Sequence, residues 1–137
     1  LVSKLFPLLQ LIDFKIFWFF KKLKIKDETL FFDRFALDTL ADLMVSTKNL
    51  DLHKTWVGSS FINLVPENTK MLYIKVDEDN IRKRKLDTKF DENLGLKIIV
   101  YEILCNFLKI NIIDNNGGIN DTLAKIKLHT ENNEDDK

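Results

Sequence analysis

Apolar residues recur at helical spacing almost from the start of the chain. Leu8, Leu9, Ile12, Ile16, Phe19, Phe20 and Leu23 follow three- and four-residue steps, and Phe14, Phe17 and Trp18 widen the stripe. This predicts a helix over residues 8–23, with Pro7 in its first turn, buried on most sides or against a partner subunit. Residues 29–32, TLFF, then form a short unbroken apolar run, which suits a strand buried on both faces of a parallel sheet. Leu37, Leu40, Ala41 and Met44 return to helical spacing. Residues 49–64 are less regular: Asp51 can cap a helix, and Gly58-Ser59-Ser60 weakens the pattern.

The second half alternates more clearly. MLYIKV, 71–76, has strong β character. Asp77 can cap a helix with Glu78 and Asp79 in its first turn. Arg82, Lys83, Arg84 and Lys85 stand at the far end, a polarity that suits the helix dipole. Residues 86–93 read as a loop. Residues 94–108 form a helix with Leu96, Ile99, Val100, Ile103, Leu104 and Phe107 on its apolar side. INIID, 110–114, is a third strand, NNGG a turn, and 119–128 a last helix. Residues 129–137 are a polar, acidic tail expected to be disordered. Strands alternating with helices predict an α/β fold, a parallel sheet with helices on both faces, in one domain over residues 1–128.

Composition narrows the function. With 137 residues and 45% hydrophobic content, the chain can bury a core. Lys plus Arg and Asp plus Glu are 21 each, so nothing global favours nucleic acid or an anionic membrane. A single cysteine, Cys105, excludes an intrachain disulfide. His53 and His129 are far apart and lack metal-site spacing. The N-terminal aromatic stretch has no uncharged run longer than Leu5–Ile12, far short of the ~20 residues a span needs. It also lacks a signal-peptide cleavage pattern. A cytoplasmic protein is expected.

Candidate chemistry lies at strand ends, where open parallel sheets bind ligands. Three are visible: Phe32-Asp33-Arg34, Val76-Asp77 and Ile113-Asp114. Asp77 also reads as a helix cap, and Asp114 as part of a turn with Asn115, Asn116 and Gly117. Asp33-Arg34 is either an ion pair closing a turn or an anion site, since the arginine fork matches phosphate. RKRKLDTKFDEN is either an exposed helix end or a mobile flap whose cations cover phosphates. Cys105 lies on the apolar side of a helix and reads as a core thiol. No GxxxxGK[ST] phosphate loop is present.

Taken in order, these pieces resemble the thymidylate kinase-like nucleoside monophosphate kinases of the P-loop kinase fold. LFFDRFALDTLADL resembles a strand followed by Asp-Arg-aromatic with an acid one turn later. VPENTKMLYIKVDEDNIRKRK resembles the family's proline-led strand, then Asp, then a helix ending in Arg-Lys. DENLGLKIIVYEIL resembles the helix after the lid, with Tyr101, and INIIDNNGGINDTLAKI the closing strand and helix. The resemblance covers roughly residues 10–128.

The resemblance implies phosphoryl transfer from ATP, with Mg2+, to a thymidylate-like acceptor. Arg34 would bind the acceptor phosphate, and Phe35 and Asp38 would line the acceptor site. Phe35 stands where the family often has tyrosine. Asp33 would act beside the reacting phosphates and hold magnesium through water. Arg84, with Arg82 and Lys85, would form the lid. The family's first strand and Walker A loop, a βαβ unit of about 30 residues or more, are expected before Leu1. Alone, the chain is then expected to be inactive, to bind ATP negligibly, and to be marginally stable or to pair strands 29–32 and 71–76 directly. The alternative is a non-catalytic interaction module that dimerises through the helix at 8–23.

Overall fold

The structure is a computed structural model that describes residues 2–22, 31–85 and 87–131. The chain divides into two compact units, Leu1–Glu67 and Asn68–Lys137. The first unit is helical. Helix α1 spans Val2–Lys22, α2 Ala36–Thr47 and α3 Trp56–Ile62, with a single 3-10 turn at Leu52–Lys54. Helix α1 begins about a turn and a half earlier than its sequence pattern predicts, so Pro7 lies inside it and removes one backbone N–H from the ladder.

Apolar spacing sets the packing of this unit. Leu11 and Trp18 of α1, Leu40, Leu43 and Met44 of α2, and Phe61 of α3 are buried. Half-buried Phe14 packs beside them, its ring 6.2 Å from that of Phe61. Truncating a fully buried residue such as Leu40 or Met44 to alanine costs about 2–5 kcal/mol. Thr55 starts α3: its hydroxyl accepts a hydrogen bond from the Gly58 N–H at 3.3 Å and donates to the Leu52 carbonyl at 2.7 Å. Buried His53 donates from Nδ1 to the Leu50 carbonyl at 2.9 Å, which fixes its tautomer in a structural role.

The second unit holds strand β1, Leu72–Lys75, helix α4, Glu78–Arg84, a 3-10 turn at Asp87–Phe90, helix α5, Leu94–Leu108, strand β2, Asn111–Asp114, and helix α6, Ile119–Glu131. The strands pair in parallel, Leu72 with Asn111 through Lys75 with Asp114. Their C-terminal ends are tied by Asn116. Its Oδ1 accepts from the Asp77 N–H and from the Asn80 amide, both at 2.9 Å, and its own N–H donates to Asp114 at 3.0 Å. Asp114 thus closes a turn. Asp77 is the N-cap residue of α4, though its side chain makes no capping bond.

The architecture corrects the predicted fold class. Among the described residues the sheet has two strands, not a P-loop-like parallel sheet with helices on both faces, and most of the chain is helical. The error begins at TLFF. Thr29 and Leu30 lie outside the described residues, and Phe31 and Phe32 are not in a strand. Phe31 is 94% exposed. Phe32 instead sets its ring 5.7 Å from Trp18 and 4.9 Å from Phe35. A four-residue apolar run carries too little periodicity to separate a buried strand from an aromatic anchor. Strand 71–76 pairs with 110–114, and among the described residues it does not pair with 31–32. Of the predicted tail, residues 129–131 continue α6, and 132–137 lie outside the described residues.

Candidate ligand site

A surface cleft of about 280 Å³ lies between α1, residues 32–35 and the first turns of α2 in the first unit. Arg34, Phe35 and Asp38 line it together, with Phe14, Phe17 and Lys21 from α1, Phe32, and Thr39 and Asp42 from α2. Ligand clefts run from roughly 300 to 1,000 Å³. This one is at the small end, sized for one ring and a charged group rather than for a dinucleotide.

Phe35 is the anchor. It is the N-cap residue of α2, a position where Ser, Thr, Asp or Asn is usual. The missing cap is replaced from below: the Asp38 carboxylate accepts the Phe35 N–H at 2.9 Å. The Phe35 ring packs edge-on to Trp18 at 4.7 Å and to Phe14 at 5.3 Å. Such pairs contribute about 0.5–1.5 kcal/mol each beyond simple burial.

That anchoring holds Arg34 in an uncommon conformation. Among the described residues three non-glycine residues have positive φ: Arg34 (69°), Lys48 (53°) and Lys109 (55°). Lys48 and Lys109 are helix C-caps, where the left-handed conformation is ordinary. Arg34 precedes a helix, and a non-glycine residue there stores about 1–3 kcal/mol. Its side chain is exposed and makes no ion pair among the described residues. Lys21 is the second cation of the cleft, its Nζ 5.8 Å from the centre of the Phe17 ring. Two cations, two carboxylates and several ring faces therefore meet in one small space. Asp33, next in the chain, is exposed and is not part of the lining.

The expected lid residues belong to the second unit. Arg82 is latched there: its guanidinium donates to Glu78 at 2.7 and 3.0 Å and to the carbonyls of Thr88 and Asp91, both at 3.0 Å. This pins residues 88–91 against α4. Arg84 and Lys85 are exposed at the end of α4. Tyr101 stacks on Tyr73 at 5.2 Å. Burial pushes the Tyr73 phenol up to about 12 and the Cys105 thiol up to about 11, with the Glu102 carboxylate adding to both. A thiol held neutral in this way is not a nucleophile at neutral pH.

No protein-family model, curated protein or solved structure matches the chain. Among the described residues no helix is long and apolar enough to cross a membrane, and no cluster of three or more His, Cys, Asp or Glu side chains could hold a metal ion. The sequence pointed to Arg34, Phe35 and Asp38 but missed Phe14, Phe17, Lys21 and Asp42. Their signal was present, an aromatic helix face ending in lysines with an acid one turn after Asp38, but only folding brings it to the arginine.

Proposed function

We propose that the Arg34 cleft binds a nucleoside monophosphate, in the acceptor role of phosphoryl transfer. The observation that carries this is the convergence of an arginine, without an ion pair among the described residues, with aromatic faces in one small cleft. The arginine fork suits a terminal phosphate in bidentate geometry, and Lys21 adds a second charge. The rings of Phe14, Phe17 and Phe32 offer stacking surface for a base, an interaction of about 1–3 kcal/mol per base.

Magnesium commonly binds through one or two carboxylates together with substrate phosphates. Asp33, next to Arg34 in the chain, is exposed and lies outside the cleft lining, so the residues present do not fit a magnesium held against phosphates in the cleft. The 137 residues contain no GxxxxGK[ST] phosphate loop, so they offer no such cradle for the donor phosphates of ATP.

The test is calorimetric titration with thymidine monophosphate, thymidine and inorganic phosphate, using the wild type and Arg34→Ala. The monophosphate is expected to bind more tightly than either part alone, and Arg34→Ala to weaken it tenfold or more. Absence of binding, or equal affinity in the variant, overturns the reading.

A further inference from the structure

Helix α1 has a second apolar face that the described residues leave exposed. Leu11 and Trp18 turn inward, yet on the opposite side Leu5, Leu9, Ile12, Ile16, Phe19 and Phe20 are 48–62% exposed. From Leu5 to Phe19 the steps are four, three, four and three residues. That is the 3.5-residue period of a coiled-coil seam, which meets another helix along a straight line. Asp13 and Lys15 lie one on each flank of the seam, where flanking charges of such pairs belong.

We propose that this seam is a homodimer interface, with α1 of a second copy of the chain, running parallel, as its occupant. Area is the first argument. Large apolar and aromatic side chains cover about 150–250 Å² each, and at these exposures the stripe leaves on the order of 500–800 Å² per copy, approaching the ~800 Å² per partner of a standard interface. A single copy exposing this much contiguous apolar surface is at the upper limit for soluble monomers. The second argument is charge placement. Helices that lie on lipid carry basic residues along the face opposite the apolar one. Here the face opposite is packed inside the protein, and among the described side chains the lysines of α1 are Lys15 on one flank and Lys21 and Lys22 in the last turn. The seam therefore suits a helix rather than a bilayer. The inference does not depend on the nucleotide reading.

Sedimentation equilibrium of the full chain at micromolar concentration tests it, with two variants. The wild type is expected to be a dimer. Ile16→Asp, at an exposed position, is expected to weaken self-association at least tenfold while leaving the circular dichroism spectrum unchanged. Ile12→Cys, at the centre of the seam, faces its own copy in the parallel pair proposed here and is expected to form an oxidised dimer, since native Cys105 is buried. A monomeric wild type, an Ile16→Asp chain that still dimerises, or an Ile12→Cys chain that does not cross-link overturns the proposal. So does a monomer that co-sediments with anionic phospholipid vesicles.

Discussion

Gly58→Ala sets two physical effects against each other. Gly58 lies inside α3, where helix propensity alone favours alanine by about 0.8–1.0 kcal/mol. The packing says the reverse. A Cβ at Gly58 would stand 2.2 Å from the Leu52 carbonyl oxygen, 2.6 Å from the His53 Cα and 2.9 Å from the His53 carbonyl carbon. All three are backbone atoms, so no side chain can swing aside. Relief requires the 3-10 turn and α3 to separate by about an ångström. That would strain both bonds of the Thr55 hydroxyl and loosen buried His53. Overpacking of this kind costs about 1–3 kcal/mol or more. Combined with the loss of hydrogen bonds, it exceeds the propensity gain by about 2 kcal/mol. In a domain of 60–100 residues each kcal/mol moves Tm by about 4–8 °C. Urea and thermal unfolding, followed by the fluorescence of buried Trp18, measure the difference. A variant as stable as the wild type, or more so, refutes the close approach of α3 to the Leu52–Lys54 turn.

Further outcomes follow from the same geometry. Arg34→Gly relieves a left-handed backbone, so stability is expected to stay within about 1 kcal/mol of the wild type or to rise, while monophosphate affinity falls; a clear loss of stability by denaturant titration contradicts the strain at Arg34. Arg82→Ala is expected to destabilise the second unit by about 1–2 kcal/mol, the share of charged hydrogen bonds that a partly exposed group retains, and Arg82→Lys is expected to restore little because the fork geometry is lost; chemical denaturation with a probe in this unit reads both. Cys105 and Tyr73 are acids whose pKa values rise on folding, so the folded state keeps protons that the unfolded state releases. Their contribution is intact below about 9 for the thiol and 10 for the phenol and is lost as pH climbs towards 11 and 12. Unfolding free energy is expected to fall across that window, less steeply in Cys105→Ala, and a flat profile contradicts the burial of both groups.

The parts of the fold legible in the sequence were those whose side chains repeat a period long enough to be unambiguous. Residues 94–108 carry four turns of helical pattern between polar Asn93 and Lys109, and α5 has those limits. Strands 71–76 and 110–114 were legible through β-branched and aromatic residues flanked by turn formers. TLFF was not, because two phenylalanines can hold a turn onto a helix as well as enter a sheet. At the cleft, Arg34 and Asp38 stood out because charge is unusual beside an apolar run. Phe14, Phe17 and Lys21 come from a helix whose pattern reads as packing alone. Arg82 shows a second limit. A basic helix end looks the same in sequence whether it swings over a ligand or is pinned by the Thr88 and Asp91 carbonyls.

The claim that a nucleoside monophosphate occupies the Arg34 cleft is tested most directly by protein-observed NMR. Titrating thymidine monophosphate into the isotope-labelled chain is expected to shift the Arg34 side-chain signal and the ring signals of Phe14, Phe17 and Phe32, saturably and together. The Tyr73 and Tyr101 rings of the second unit are expected to keep their shifts. No change at Arg34 and the three rings, or changes confined to the second unit, would contradict the account.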